Sequence, residues 1–79
     1  MKRKIIKRSI DALRKGEIVW DTALSGFGAR RHASGAVTFL IKYRAGRRQR
    51  WLKLGTFGRM TPAEARTAAR IALGAVEKG

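Results

Sequence analysis

The chain of 79 residues contains no cysteine, a single histidine and five acidic residues. Without cysteine it can form neither a disulfide nor a thiolate metal site, and His32 alone cannot build a metal site from histidines. The five carboxylates are scattered over predicted helices and loops, and Glu64 among them is expected to have a structural role, which disfavours catalysis by a carboxylate pair. We therefore expect a chain that is not an enzyme and that needs no metal and no cofactor.

Long hydrophobic runs are also missing. No segment approaches the length needed to span a bilayer. The basic N-terminus, Lys2-Arg3-Lys4, is followed by Ile5-Ile6-Lys7-Arg8 rather than by the apolar segment of a secretory signal. We therefore expect a soluble, cytoplasmic protein that does not associate with membranes.

Positive charge, by contrast, is present in large excess. Nineteen Lys and Arg residues against five acids give a formal net charge of +14. Solubility alone does not require a charge of this size, whereas an anionic partner explains it. The length fits one small domain over residues 1–79, which would bury roughly 60% of the surface that its unfolded form exposes.

Hydrophobic periodicity predicts a short helix, a set of short strands and a long helix. Ile6, Ile10 and Leu13 follow the i, i+4, i+7 spacing of a helix with one buried stripe, and Gly16 ends it. The predicted strands span residues 17–20, 27–32, 37–44 and 49–54. Short glycine-bearing turns between the later strands favour antiparallel hairpins. The glycines of Gly26-Phe27-Gly28 are interpreted as permitting a bend, because the third glycine of a dinucleotide-binding fingerprint is missing.

The start of the last helix is the clearest local signal. Thr61 is positioned to cap the first turn, Pro62 fits the first helical position, and Glu64 can accept a hydrogen bond from the Thr61 amide. The helix is predicted to run to about Lys78. Its predicted buried stripe is Ala65, Ala69, Ala72, Leu73 and Val76, and its predicted solvent side is Arg66, Arg70, Glu77 and Lys78.

These elements predict an α+β fold. A three-stranded antiparallel sheet, with a short extra N-terminal strand, packs on one face against the C-terminal helix, and a short N-terminal helix precedes the sheet. The other face of the sheet is left open.

Basic residues recur on the strand face that the helix is expected to leave uncovered. Thr38, Lys42 and Arg44 share one face of the third strand with Leu40. A pleated surface of this width fits the major groove of duplex DNA, where Arg and Lys reach base edges and phosphates. The predicted DNA contacts on the sheet are Arg30, Thr38, Lys42, Arg44, Trp51 and Lys53, and the predicted phosphate contacts are Arg47 and Arg48 in the turn and Lys2, Arg3 and Lys4.

Trp51 has two interpretations. An exposed tryptophan among arginines can stack on a sugar or pack along the wall of a groove. A structural tryptophan at this position would instead pack beneath the N-terminal segment. The sequence leaves both open.

Several motifs, taken in order, resemble one family of DNA-binding domains. The most specific combination is Trp20-Asp21, then Gly26-Phe27-Gly28-Ala29-Arg30, then Leu54-Gly55, joined to the capped helix after Thr61. The matching segments are residues 10–13, 19–21, 24–30, 34–35, 39, 43–44, 52–55 and 61–66. Over nearly its whole length the chain resembles the N-terminal arm-binding domain of P4-type prophage integrases, which are tyrosine recombinases of the phage integrase family.

The resemblance implies a function in site-specific recombination. It implies a three-stranded sheet, backed by a long helix, whose open face lies in the major groove of short arm-type repeats beside an attachment site. It also implies integration and excision of a prophage or genomic island, a bacterial nucleoid-associated location, and other integrase protomers or an excision factor as further partners.

The resemblance further implies a longer parent protein. In the family this domain precedes a core-binding domain and a catalytic domain with a tyrosine nucleophile, and residues 1–79 contain neither. Tyr43 falls on the apolar face of a strand, so we do not expect it to be a nucleophile. We expect a shortened piece of such an integrase or a gene remnant, with Gly79 at the start of a linker.

Two segments depart from the family pattern. Ile6 stands where a capping Thr or Ser is usual, so we expect the first helix to fray. Arg31-His32-Ala33 replaces an apolar residue followed by Thr and Pro, which places an arginine where the strand would face the core. Arg31 is then expected either at an edge, with its stem packed and its head in water, or re-aimed by a bulge.

Two other functions fit the same residues. One is an RNA-binding module of ribosomal or double-stranded-RNA-binding type, because basic three-stranded sheets with a backing helix serve both polymers. The other is a protein-interaction module that uses the open sheet. Competition between DNA and RNA duplexes distinguishes the RNA-binding module from a DNA-binding domain. Binding of a partner that persists at high salt indicates the protein-interaction module.

Overall fold

The computed structural model describes residues 2–78, apart from the side chains of residues 77 and 78. Its elements are α1 (Lys7–Asp11), β1 (Ile18–Trp20), β2 (Phe27–Arg31), β3 (Val37–Ala45), β4 (Arg48–Thr56) and α2 (Pro62–Lys78). The α+β class and the order of elements are as predicted, and the strand boundaries lie close to the predicted ones. Among the described residues, neither helix has the length and apolar content that crossing a bilayer requires.

The strands form one four-stranded antiparallel sheet in the order β1-β2-β3-β4. The prediction of a three-stranded sheet plus a short extra N-terminal strand is wrong in the number of strands in the sheet. The short strand β1 is a full member, since it pairs with β2 along its whole length, from Ile18 opposite Arg30 to Trp20 opposite Gly28. The N-terminal segment continues this edge, since the Arg3 amide donates to the Trp20 carbonyl at 2.9 Å.

β3 and β4 form a long hairpin of nine residues in each strand. Its two-residue turn begins at Gly46, whose φ of 63° is the positive value that the first central residue of a II′ turn requires. The register of β2 with β3 ends at Ile41, and the Lys42 amide still donates to the Gly26 carbonyl at 2.7 Å, so the hairpin is two-stranded beyond Lys42. We call residues 42–51 the distal hairpin.

The core lies between the sheet and α2, which packs across β3 and β4. Ala65 and Ala69 are fully buried, as predicted. Their small side chains let the helix approach the sheet closely. Ala72 and Leu73, also predicted, are partly buried against the same core. The buried side chains that the sheet contributes are Val19, Phe27, Ala29, Val37, Phe39 and Ile41.

The predicted cap of α2 is confirmed. The Thr61 amide donates to Glu64 Oε1 at 3.0 Å, and the Glu64 amide donates to Thr61 Oγ1 at 3.1 Å. Arg70 is exposed as predicted. The predictions for the side chains of Glu77 and Lys78, and for Gly79, lie outside the described residues.

The prediction that Arg66 faces water is wrong. Its Nη1 donates to Asp21 Oδ2 at 2.6 Å and its Nη2 to Asp21 Oδ1 at 2.7 Å. Nη2 also donates to the Ile5 carbonyl at 3.2 Å. The planar guanidinium matches the carboxylate with two parallel hydrogen bonds, which draws the side chain inward from the border of the helix's buried stripe.

The N-terminal helix is shorter than predicted, and its buried stripe is partly different. Ile10 and Leu13 are buried, but Ile6 is 45% exposed and Ile5, at 1%, takes the core position. The reason is that Ile6 is the N-cap residue and has extended backbone angles, so the helical spacing does not extend to it. The Ser9 hydroxyl accepts the Ile6 amide at 2.9 Å, in place of a capping side chain at residue 6.

Arg31 follows neither of its two expected placements. β2 keeps a regular register there, with Arg31 opposite Val37 on the α2 side, so no bulge re-aims it. Its head group binds carbonyls rather than facing water: Nη1 donates to Gly35 at 2.7 Å and Nη2 to Ile10 at 3.0 Å. Its Nε is buried without a partner. The arginine therefore ties the end of α1 to the turn between β2 and β3.

Candidate nucleic-acid interface

The sheet face away from α2, here called the open face, brings the predicted sheet contacts together. Arg30 lies opposite Thr38, and Lys42 opposite Trp51. By register the open face comprises Ile18, Trp20, Gly28, Arg30, Thr38, Leu40, Lys42, Arg44, Gln49, Trp51, Lys53 and Thr56. The predicted contacts Arg30, Thr38, Lys42, Arg44, Trp51 and Lys53 all belong to it, and their contact with DNA remains a prediction.

The charge of the open face is of one sign. Its cations are Arg30, Lys42, Arg44 and Lys53, and no carboxylate among the described side chains accompanies them. The described acids lie elsewhere: Asp11 on α1, Glu17 before β1, Asp21 in the core and Glu64 at the start of α2. A surface of this kind presents an unbalanced positive field to solvent, which attracts a polyanion.

The centre of the open face is apolar. The rings of Trp20 and Trp51 meet edge to face with their centroids 5.5 Å apart. Leu40, which is 7% exposed, lies opposite Gly28 in the middle of this face, and we attribute its burial to the two rings. We call Trp20, Leu40 and Trp51 the aromatic cluster. Trp51 packs on Trp20 of β1 and is 52% exposed, which does not fit a tryptophan packed beneath the N-terminal segment.

Gly28 makes this cluster possible. A Cβ placed on Gly28 would lie 2.8 Å from Cε3 and Cζ3 of Trp20, which is closer than carbon atoms approach. The Trp20 ring therefore lies directly against the backbone of β2. Lys42 completes the arrangement, with its Nζ 4.6 Å from the centre of the Trp20 ring.

Thr38 is already engaged in a side-chain contact. Its Oγ1 lies 2.7 Å from Nε2 of His32, which follows the end of β2. His32 is exposed, in agreement with the expectation of a residue at a strand end near a turn. Sequence reasoning did not pair the two residues, although both flank the same β2–β3 turn.

The far end of the distal hairpin concentrates the remaining predicted cations. Arg47 lies in the turn and is exposed, as predicted. The prediction that Arg48 lies in the turn is wrong: because the turn has two residues, Arg48 is the first residue of β4, opposite Ala45. Its position in the strand alternation places it toward the α2 side. Gln49, which was not predicted, lies on the open face opposite Arg44.

The basic N-terminal segment borders the sheet. Lys2 forms a parallel bridge with Trp20, and the side chains of Lys2, Arg3 and Lys4 are exposed. The three predicted phosphate contacts therefore lie at the C-terminal end of β1, beside Trp20.

Asp21 is a buried charged residue whose role sequence reasoning missed. Its carboxylate accepts the amides of Ile5 at 2.8 Å, Ala23 at 3.0 Å and Leu24 at 2.7 Å, besides both nitrogens of Arg66. Burial by itself raises the pKa of Asp21, but the hydrogen bonds from Arg66, Ile5 and Leu24 and the charge of Arg66 outweigh it and lower the pKa to about 2. An acid directly after a strand, followed by a loop that can donate amides, was the available signal.

Groups able to perform chemistry are sparse. Tyr43 is half-buried on the α2 side of β3, opposite Arg50, and packs against the core. The described residues hold no group of three or more His, Cys, Asp or Glu side chains that could bind a metal ion. The arrangement is one of charge, hydrogen-bond donors and an apolar centre, which suits recognition.

Comparison with known proteins agrees with this geometry. A family model described as the arm DNA-binding domain matches residues 3–79. No curated protein and no solved structure matches the chain. The family match includes every helix and strand of the structure. The chain therefore belongs to the arm DNA-binding domain family of phage integrases, whose members are DNA-binding modules without catalytic activity.

Proposed function

We propose that this domain binds duplex DNA sequence-specifically, through its open face, at arm-type repeats. The observation that carries the proposal is the row of cations on the open face, without a carboxylate among them, in a chain of the arm DNA-binding family. The proposed contacts are Arg30, Thr38, Lys42, Arg44, Trp51 and Lys53 on the sheet and Arg47 and Arg48 at the hairpin end, with Lys2, Arg3 and Lys4 on phosphates.

The dimensions of the sheet favour entry of the distal hairpin. Four strands at their usual spacing are about 14 Å from first to last. The major groove is about 12 Å wide and admits a two-stranded ribbon. Residues 42–51 become such a ribbon beyond Lys42, whose amide makes the last hydrogen bond to the β2 side, at Gly26. The hairpin then carries Lys42, Arg44 and Gln49 to base edges, while Arg30 stays near the groove wall.

The side-chain types at the hairpin suit base recognition. Arg44 can donate two hydrogen bonds to O6 and N7 of a guanine, and Gln49 beside it can pair with N6 and N7 of an adenine. Arg47 lies in the turn beyond the last paired residues, Arg48 belongs to the last pair, and both reach phosphates. Such contacts fix the orientation of the hairpin and leave sequence discrimination to the strand residues.

The biological setting belongs to the same proposal. The domain acts as the N-terminal part of a P4-type integrase, a tyrosine recombinase, and supports integration and excision of a prophage or genomic island. Its DNA site then recurs as short repeats beside the attachment site of the element that encodes it. The site can be found by selecting duplexes from a randomised pool with the chain and searching the flanking DNA for the selected sequence.

The test compares two double variants with equal charge loss. Lys42→Ala with Arg44→Ala removes two cations of the open face, and Arg8→Ala with Arg70→Ala removes two exposed cations of the helices, away from the open face and the distal hairpin. Binding of the selected duplex is measured by fluorescence anisotropy, with circular dichroism to verify folding. We expect at least about a tenfold loss for the first variant, because good base contacts are worth roughly 1 to 3 kcal/mol each, and a small loss for the second.

Equal losses in the two variants would mean that net charge, and not the open face, governs binding. A log–log slope against salt of about −5 to −7 is expected for six to eight neutralised phosphates. Preference for an RNA duplex of the same sequence would favour an RNA-binding module. Binding of a protein that persists at high salt would favour an interaction module.

A further inference from the structure

The aromatic cluster is not explained by attraction between cations and phosphates. It occupies the middle of the open face, with Lys42 beside it and Lys53 opposite Leu40. Half of the Trp51 side chain stays exposed there. A tryptophan left half-exposed among cations presents mainly carbon surface to the ligand, so an apolar feature of the ligand is the natural occupant.

The cluster is a fixed apolar surface and not a free stacking platform. The Trp20 ring has the Gly28 backbone against it, the Lys42 ammonium over it, and Trp51 packed on it. Stacking of an unpaired base needs an accessible ring face. Trp20 has little accessible ring face, and Trp51 is held edge to face against the Trp20 ring. Both side chains are therefore fixed in position before a ligand binds.

Duplex DNA offers one apolar group on its base edges in the major groove, the C5-methyl of thymine. Resting on the proposed function, we propose that the aromatic cluster packs against the C5-methyl group of a thymine in the bound site. Trp51 is then a specificity-determining residue. The cations around it hold the duplex, and the cluster selects a T·A pair at the position it faces.

The test removes that methyl group from the DNA and leaves the protein unchanged. A duplex is selected from a randomised pool with the wild-type chain, and each thymine of the selected site is replaced in turn by uracil. Uracil pairs with adenine in the same way and lacks only the methyl group. At one position we expect binding to weaken by about fourfold, the effect of one buried methyl-sized group, with little change at the others.

Three protein variants connect the effect to the cluster. In Trp51→Ala the uracil penalty at that position disappears, and in Trp51→Phe, which keeps an aromatic ring, part of it remains. Lys53→Ala removes a neighbouring cation of the same face. It weakens binding to the thymine and uracil duplexes equally and therefore keeps the penalty. A purely structural role of Trp51 would change overall affinity or stability without changing the ratio of thymine to uracil binding.

The outcomes separate this inference from the proposed function. Preference for the selected site over a scrambled duplex, together with the uracil penalty and its loss in Trp51→Ala, supports the inference. A selected site without thymine, no uracil penalty at any position, or an unchanged penalty in Trp51→Ala overturns it and leaves the proposed function standing. Equal binding of selected and scrambled duplexes overturns the proposed function and the inference with it.

Discussion

Separating Arg66 from Asp21 is expected to remove a large part of the folding free energy. The Asp21 side chain is fully buried, and its two oxygens accept hydrogen bonds from the Arg66 guanidinium and from backbone amides of the N-terminal segment and the loop after β1. Arg66→Ala leaves this carboxylate charged and buried, with amides as its remaining partners. The substitution also frees the Ile5 carbonyl, which Arg66 binds at 3.2 Å.

The size of the loss follows from two independent considerations. Removing one partner of a buried ion pair costs about 3 to 5 kcal/mol in other proteins. The fall in the pKa of Asp21 from 3.8 to about 2 corresponds to about 2.5 kcal/mol of stabilisation of the charged form. The second figure also includes the hydrogen bonds from the Ile5 and Leu24 amides, which Arg66→Ala retains, so we take the first figure as the size of the loss. A chain of this length has a total stability of about 4 to 12 kcal/mol, so the variant should be marginally folded.

The measurement is urea unfolding followed by tryptophan fluorescence, since Trp20 precedes Asp21 directly. Arg66→Lys keeps the charge but not the two parallel hydrogen bonds and should lose less than Arg66→Ala. Arg70→Ala is the matched control: it lies one turn further along α2, is exposed, and should change stability by less than about 0.5 kcal/mol. An Arg66→Ala variant as stable as the Arg70→Ala control would refute the reasoning.

Further predictions concern other parts of the fold. Gly28→Ala should destabilise the chain by about 1 to 3 kcal/mol and shift its tryptophan emission, because the new Cβ displaces Trp20; unchanged emission would contradict the described packing. Thr61→Ala should cost about 1 kcal/mol in urea unfolding through loss of the α2 cap, and no loss would mean that the cap is dispensable. Arg31→Met should cost about 1 to 3 kcal/mol by removing the donor of the Gly35 carbonyl and one of the two donors of the Ile10 carbonyl, which keeps the Leu13 amide, whereas Arg30→Met on the open face should be nearly neutral. Because the folded pKa of Asp21 lies below its unfolded value, its contribution is complete above about pH 4 and is lost as the pH falls toward 2, which acid titration of unfolding midpoints should show.

Local patterns in the sequence predicted the elements and the faces well. Alternation in β3 and β4 placed Lys42, Arg44 and Trp51 on one face, and the pairing of Lys42 with Trp51 confirms that placement. The cap of α2 was predicted because Thr61 and Glu64 are three residues apart and satisfy each other. Both signals depend on residues that are close together in the chain, so they can be recognised without knowledge of the fold.

The wrong and missing predictions concern residues whose partners are distant in the sequence. Helical periodicity assigned Arg66 to the solvent, because nothing near it in the chain indicates a carboxylate 45 residues earlier. Gly28 could be interpreted only as a bend, since its role depends on the ring of Trp20 across the sheet. The contact between Trp20 and Trp51 joins the first and last strands, and no local pattern contains it.

The adjacent residues Trp20 and Asp21 connect the stability of this domain to its proposed binding surface. Consecutive residues of an extended segment point to opposite sides, so Trp20 contributes to the open face while Asp21 turns into the core and binds Arg66. Holding Asp21 in place therefore also holds the end of β1 against Gly28 and the ring of Trp20 against Trp51. It follows that a change at Arg66, on the side of the sheet opposite the proposed DNA-binding face, should weaken DNA binding by loosening the aromatic cluster. The equal charge loss at Arg70 leaves that cluster intact and should have little effect.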